Sequence, residues 1–530
     1  MPGASAQSVN SPKTAANLKV SLMVDGVPYS YPGGPAMPSY YVGFCEDGRV
    51  VFHLGALGDI ARSGKPPKPY HLGPHHIRIE EEGKVLLDAN IPAHWWNSQW
   101  TYRPGPLVVK KTPTQIIAAN RMFRFGDTGN KVGAPINYTF KGPMDSAGIT
   151  KYMPTTGERP DIGLITDASA YFMLGQSPSP MLAWAQANDS CPLHFRDEST
   201  GKPINLLKYP QANAYDLPGL QGAPFLIKGT PDPEAPQYSK FGGGWNPQQA
   251  HFCEMSYVAF IATGDLGFLE NLQYNANFTV LADASHSSPA GAIVSGEVRG
   301  IAWTLRNLFM ARVATVDAEA SGALPATCHP SSYYKKLLDQ SLAYYDKIRL
   351  DPKQQTFRLI GEFGRFSPWT VDYLLTSLAF GVLTGHSEWA PLYLWCLGNV
   401  VARTNGASGY PPGLGTSYRL NAVVGGADNN QPRVTWKQAF DNLVGDPEIQ
   451  LTPAQHDALV TSPLNGGKAL MGPEYILTTR AAIVYALYLE KKGLLPGLRA
   501  QYPEIDTCFA NIDHMVRAGG SINARVSVVT

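Results

Sequence analysis

The chain has 530 residues, with 43 Lys and Arg against 42 Asp and Glu, a net charge near +1. Charged residues make up 16% and hydrophobic residues 44%, which suits a large buried core and excludes a disordered chain. The even charge balance argues against a broad nucleic-acid face, which needs clustered Lys and Arg.

No apolar run is long enough to cross a bilayer. The opening MPGASAQSVNSPKTAAN lacks the basic and apolar regions of a secretory signal. The expected location is therefore the cytoplasm or a phage particle released by lysis. The six cysteines stand singly, without a CxxC, and read as free, mostly buried thiols.

Residues 1–16 read as a flexible tail, and 17–145 as a β-domain, a barrel or sandwich. VSLMV, YYVGF, RVVFHLG, HHIRIEEEGKVLLDANI, LVVKK and QIIAANRMFRF are short and rich in β-branched and aromatic residues, with Gly, Pro, Asn or Asp between them. Glu82-Gly83 reads as a hairpin turn. HWWNSQWTYRPG gathers Trp95, Trp96, Trp100 and Tyr102, either as a wall over a ligand site or as a seam between domains.

From 146 to 530 the period becomes helical. Helices are expected over 160–174, 180–189, 248–263, 267–280, 298–313, 331–347, 368–384, 387–402, 434–444, 453–461, 474–492 and 504–517. Short turns at 176–178, 263–266 and 384–387 join them in pairs. Thr263-Gly264-Asp265 predicts a tight turn in which Asp265 caps the next helix. The helix over 331–347 carries one apolar stripe, and the helix over 474–492 is apolar nearly all round and stops at Gly493. Twelve helices in successive hairpins fit an (α/α)6 toroid, with an open α-solenoid as the alternative. The closing INARVSVVT reads as a short strand returning to the β-domain.

In a toroid alternate helices run the same way, so the N-termini of the odd-numbered helices share one end. Those N-termini carry the polar residues. YMPTTGERPDIG brings Arg159 and Asp161; HFRDESTGKPINLLKYP brings His194, Arg196, Asp197 and Glu198; GGGWNPQQAHF brings Trp245 and His251. Arg299, Trp369 and Tyr475 open later helices. Carboxylates, guanidiniums, imidazoles and indoles together suit a polar, partly anionic ligand such as an acidic sugar. Each segment also has a plain structural reading: a capping network for ERPD, a charged turn for HFRDE, a satisfied helix-start histidine for His251. GxGxxG, Walker, HExxH and GxSxG motifs are absent. Cys191, His194, His75 and His76 have too few partners for a zinc site. No cofactor is expected, although a divalent cation held by Asp and Glu oxygens would leave no spacing signature.

YMPTTGERPDIG, HFRDESTGKPINLLKYP, the AHF…TGDLGFLENLQ stretch and RGIAWTLR stand in order across about 150–315. Together they resemble a group of uncharacterised bacterial and prophage-encoded proteins related to the exo-acting rhamnogalacturonan lyases. That resemblance implies a RIFT-type β-barrel joined to an α/α toroid. The chain departs from the group in its short β-region and in Phe252-Cys253, where the group carries a proline.

The expected function is cleavage of an acidic or deoxy-sugar polysaccharide by β-elimination. His251 or His194 would move the proton, Tyr475 would protonate the leaving oxygen, and Arg159, Arg196 and Arg299 would hold a carboxylate. Trp245 and Trp369 would cover sugar faces. The alternatives are a glycoside hydrolase using Asp161, Asp197, Glu198 or Glu254, a non-catalytic glycan-binding or structural part of a phage tail, and a protein-binding solenoid scaffold. The expected partner is a polysaccharide or oligosaccharide, with phage-particle proteins as a further possibility and no nucleic acid or membrane.

Overall fold

The computed structural model describes residues 18–24, 27–28, 40–45, 47–55, 71–126, 137–154, 159, 161–197, 200–209, 245, 247–282, 297–361, 364–414, 419–423, 433–446, 451–464, 473–518 and 527–528. The expected tail over 1–16 lies outside them. The chain mixes small β-sheets with many helices.

Among the described residues, nine strands form the N-terminal part: β1 (Leu18–Val24), β2 (Val27–Pro28), β3 (Tyr40–Phe44), β4 (Val50–Leu54), β5 (His71–Leu72), β6 (His75–Glu81), β7 (Lys84–Ile91), β8 (His94–Trp95) and β9 (Ser98–Tyr102). They make one sheet in the order β2-β1-β6-β7, a second in the order β3-β4-β9 and a small β5-β8 pair. The β6–β7 hairpin turns where expected. Glu82 and Gly83 both take positive φ, as a two-residue hairpin turn requires. Val50, Phe52 and Leu54 of β4 share a core with Ile77, Ile79, Ile91 and Trp100. Val51 and His53 point the other way, toward the helices, so β4 is buried on both faces.

Segments 107–111 and 115–125 do not form the strands their composition suggests. The first joins no strand among the described residues. The second begins with a short helix, α1 (Pro113–Ala118), started by a Thr112–Gln115 capping box with Pro113 in its first turn. Satisfying the first backbone N–H groups outweighs the strand preference of Ile116 and Ile117. This arm lies over the helices: Lys110 N–H donates to Ala262 O at 2.8 Å, and Arg121 makes two hydrogen bonds to Asp317 at 2.5 and 2.9 Å. Phe123 packs on Tyr485 and Tyr488. Beyond it, β10 (Phe125–Gly126) pairs with β13 (Ser527–Val528), so the last strand returns to the segment expected to be β.

The main helices are α2 (Asp167–Met173), α3 (Ser179–Ala187), α4 (Tyr257–Thr263), α5 (Leu266–Leu281), α6 (Val298–Ala320), α7 (Ser331–Leu350), α8 (Pro368–Leu383) and α9 (Ala390–Thr404). They are followed by α10 (Trp436–Asp441), α11 (Pro453–Thr461), α12 (Pro473–Lys491), α13 (Leu498–Gln501) and α14 (Ile505–Ala518). A two-stranded pair, β11 (Arg365–Phe366) with β12 (Leu420–Asn421), lies beside them. The stretch expected as one helix over 248–263 is split: a 3-10 turn over Gln249–His251, then α4. The helix expected over 160–174 is confined to α2, because Thr166 caps it with its side chain.

Alternate helices lie side by side from α4 to α8, and the row then passes directly to α12, four helices on. α4 contacts α6, α6 contacts α8 and α8 contacts α12, while α5, α7, α9 and α14 pack against this row. The turn between α4 and α5 has the geometry its residues predict. Gly264 takes φ 71°, and the Asp265 carboxylate accepts from Gly267 N–H at 2.9 Å and Phe268 N–H at 3.3 Å. A pair with both side chains 0% exposed, Asp372 with Arg403, ties α8 to α9, and Thr479 of α12 donates to the same carboxylate at 2.6 Å. Among the described residues, no helix is long and apolar enough to cross a membrane.

Helix α5 carries the junction between the two parts, and every residue from Gly267 to Leu281 is buried. Its polar side chains meet the β3-β4-β9 sheet. Arg103 binds Asp265 at 3.1 Å, Arg49 binds Glu270 at 3.3 Å and Gln99 binds Asn271 at 2.7 Å. The aromatics of HWWNSQWTYRPG serve this seam and do not form one wall. Trp96 enters the helical core, Trp95 packs on a second cluster with Trp245, and Trp100 stacks on Phe52 in the β-core. All six cysteines are free, and all but Cys45 are buried.

Candidate functional site

The N-termini of four alternate helices converge. Arg159 and Asp161 precede α2, His251 precedes α4, Arg299 is the second residue of α6, and Trp369 the second of α8. Their side chains form one chain of contacts. Arg159 binds Asp161 Oδ1 at 2.9 Å and donates to the backbone carbonyls of Met153 at 2.5 Å and His251 at 3.1 Å. Arg299 Nη2 lies 3.0 Å from His251 Nε2 and 2.8 Å from Glu297 Oε1. Its guanidinium carbon sits 5.0 Å from the centre of the Trp369 ring. Tyr373 packs between Trp369 and Trp303.

The two arginines play different parts. Arg159 is committed to a carboxylate and two carbonyls, so it fixes the loop that carries His251. Arg299 spans an imidazole and the carboxylate of Glu297, whose side chain is 40% exposed, so its partner faces water. His251 Nδ1–H donates to Gln248 Oε1, which leaves Nε2 as an acceptor for Arg299. Burial, then the charges of Arg299 and Arg159, lower its pKa to about 3. The ring is therefore neutral near pH 7. Asp161 Oδ2 is buried without a hydrogen-bond partner among the described residues.

Behind this group, Arg306 of α6 donates to Phe252 O at 2.9 Å and to Gly163 O. Burial lowers its pKa to about 10. Glu254 accepts from Tyr257 N–H at the start of α4 and from Ser169 Oγ at 3.1 Å. Burial raises its pKa. Both residues hold loops in place.

Other residues expected at this mouth lie elsewhere. His194 is 0% exposed. Its Nε2 is 3.0 Å from Asn271 Oδ1 and its Nδ1 2.8 Å from Cys191 O, so it belongs to the seam between sheet and α5. Trp245 is a core residue beside Phe252 and Phe278. Asp197 sits in a tight turn, where its carbonyl accepts from Gly201 N–H at 2.7 Å. Arg196, at the base of that turn, stacks on Tyr41 of β3. Glu198 lies outside the described residues, as do Thr155, Thr156, Glu158 and Glu362. Tyr475 lies in the first turn of α12, with its side chain outside the described set. Sequence reasoning passed over Glu297 and Gln248, which set the protonation and geometry of the cluster; each stands two or three residues before the residue it serves.

Two cavities stand apart from the cluster. The larger, about 570 Å3, is lined by Trp100, Tyr102, Arg103, Tyr138, Ser179 and Gln186 among others. Of its lining groups, Arg103 is engaged with Asp265 and Tyr138 with Asp167. The smaller, about 280 Å3, lies between the β3-β4-β9 sheet and α5. Among the described residues, no group of three or more His, Cys, Asp or Glu is placed to hold a metal ion. The chain matches no family model, no curated protein and no solved structure.

Proposed function

We propose that the chain binds an acidic glycan at the His251–Arg299 pair, which Arg159 holds in place, and cleaves it by β-elimination. The observation that carries this reading is the position of Arg299, one guanidinium shared between a neutral imidazole and an exposed carboxylate. A uronate carboxylate entering the site displaces Glu297 and takes Arg299 with it. His251 Nε2 then loses its donor and part of the positive charge that depresses its pKa, and becomes a base of useful strength. It takes the proton α to the carboxylate. The electron pair left behind forms the carbon–carbon double bond as the β carbon–oxygen bond breaks, and the leaving oxygen takes a proton. Arg299 stabilises the charge that builds on the carboxylate meanwhile. Tyr475 is our candidate proton donor.

Hydrolysis draws less support. Of the carboxylates it would use, Asp161 is paired with Arg159 and Glu254 caps α4, while Asp197 sits in a turn. The reading includes an (α/α)6 toroid behind a RIFT-type β-barrel. It is supported by the alternate helices α4, α6 and α8, which stack side by side, and by the arm that runs from α4 to α12.

The test is incubation with bacterial capsules, exopolysaccharides and pectic fragments, following unsaturated-uronate absorbance and reducing ends together. Both signals rise if elimination occurs, and His251→Gln and Arg299→Ala abolish both. Reducing ends without absorbance identify a hydrolase. Binding without either signal leaves a glycan-binding component.

A further inference from the structure

The seam between the β3-β4-β9 sheet and α5 closes around one histidine that the glycan site does not use. The His194 N–H donates to Asn97 O at 2.8 Å in the β8–β9 turn, and its carbonyl accepts from His53 Nε2 of β4 at 2.8 Å. Its ring faces two further oxygens. Nδ1 lies 2.8 Å from Cys191 O, and Nε2 lies 3.0 Å from Asn271 Oδ1 of α5. A neutral imidazole has one N–H and one bare nitrogen. It would satisfy one of these oxygens and set a lone pair against the other.

The Asn271 amide cannot turn to offer its N–H instead. Its Nδ2 lies 2.6 Å from Asp189 Oδ1, and its Oδ1 also accepts from Gln99 Nε2 at 2.7 Å. Rotation would press two oxygens together at the first contact. Asp189 is 4% exposed and sits in the turn Asn188–Ser190 after α3. Arg103 lies 3.9 Å from it but 3.1 Å from Asp265. One guanidinium balances one carboxylate, and an imidazolium across the Asn271 amide balances the other.

The remaining groups around the ring are neutral or paired. His53 gives the contrast: its Nε2 has an oxygen, its Nδ1 has no partner among the described residues, and burial holds it neutral. Burial likewise depresses His94 to about 3. Arg49 pairs with Asp47 and Glu270, and Arg196 is taken up by the ring and hydroxyl of Tyr41. The Tyr274 ring, 4.9 Å from that of His194, offers a face to a cation, and burial keeps its phenol uncharged. For His194 itself, burial lowers the pKa; Asp189, then the Asn271 amide and the Cys191 and Asn97 carbonyls, raise it. The balance falls to the charged ring, because the neutral one leaves a buried nitrogen opposed to an oxygen and Asp189 without its second countercharge.

We propose that His194 is a buried imidazolium at neutral pH, and that its proton locks the loop after α3 and the β3-β4-β9 sheet onto α5 until alkaline pH removes it. The device is independent of the glycan cluster. A ring that holds its proton more tightly folded than unfolded stabilises the fold below the unfolded pKa, and that stability is lost as pH rises through the folded value.

The test is NMR of the full chain with ¹⁵N-labelled histidine at about pH 7, with the His194 signals identified by their loss in His194→Gln. Both His194 ring nitrogens appear at the protonated position, whereas His53 shows one protonated and one bare nitrogen. In Asp189→Asn the His194 ring takes the neutral pattern. Should that variant not fold, melting decides: the parent's advantage over His194→Gln shrinks as pH rises from about 7 to about 10, and its advantage over His53→Gln stays constant. A bare nitrogen on His194 in the parent at neutral pH overturns the assignment, as does an imidazolium that persists in Asp189→Asn. An advantage over His194→Gln that is unchanged over the alkaline range overturns the lock.

Discussion

The cluster makes a quantitative claim about one proton. His251 Nε2 lies 3.0 Å from Arg299 Nη2, so a protonated ring would hold two like charges about 4 Å apart. At an effective dielectric of about 20 this repulsion is about 4 kcal/mol, or about three pKa units at 1.36 kcal/mol each. The ring is only partly buried, and solvent screening reduces the effect to about one or two units. Arg299→Met should therefore raise the His251 pKa from about 3 to between about 4 and 5, burial and Arg159 supplying the remaining depression. The assay is NMR of the chain with ¹³C-labelled histidine, titrated over about pH 3–8, with the His251 resonance identified by its loss in His251→Gln. Saturating uronate should move the parent's resonance in the same direction as the mutation. A parent resonance already titrating near 6.5, or one unmoved by Arg299→Met, would refute the reading of Arg299 as the group that restrains this base.

Four further outcomes follow from the same structure. Burial depresses His94 and His386 to about 3 and His329 to about 4. Below pH 6.5 the unfolded chain therefore binds protons that the folded chain refuses, and stability falls as pH drops from about 6.5 toward those values. At pH 5 each group costs about 2 kcal/mol, together about 6 of a typical 5–15, so urea midpoints should drop steeply over this range; a flat profile would show these rings to be accessible. Asp372→Ala strands the Arg403 charge and should cost about 3–5 kcal/mol, while Asp372→Leu with Arg403→Met should be near neutral, as read by urea denaturation. Asp265→Ala removes a helix cap and an ion pair and should cost about 2 kcal/mol; Asp265→Asn should recover about half, and equal losses would show that the cap contributes nothing. Arg159→Lys should lower turnover more than it raises KM, because it loosens the loop carrying His251 without touching substrate; an unchanged kcat would remove Arg159 from that positioning role.

The helices were legible where local chemistry decides them. Thr263-Gly264-Asp265 names a left-handed stop and an N-cap within three residues. The capping boxes Thr435–Gln438 and Thr452–Gln455 start short helices that were expected. The same box at Thr112–Gln115 was overlooked because the Ile116-Ile117 run that follows suggests a strand, although satisfying the first N–H groups is the stronger local effect. Parity of alternate helices carried the reading further than any motif. Residues at successive same-direction N-termini meet wherever the hairpins stack, which is why Arg159, His251, Arg299 and Trp369 touch. His194, Trp245 and Arg196 sit in a loop to which parity does not apply, and what fixes them is remote. Asn271 of α5 answers the His194 ring, and Tyr41 of β3 lies under Arg196 across more than 150 residues of chain. A polar residue in such a loop looks the same in sequence whether it faces a substrate or a buried amide. What separates the two outcomes is the partner that packing supplies, a buried amide for His194 and the Tyr41 ring for Arg196.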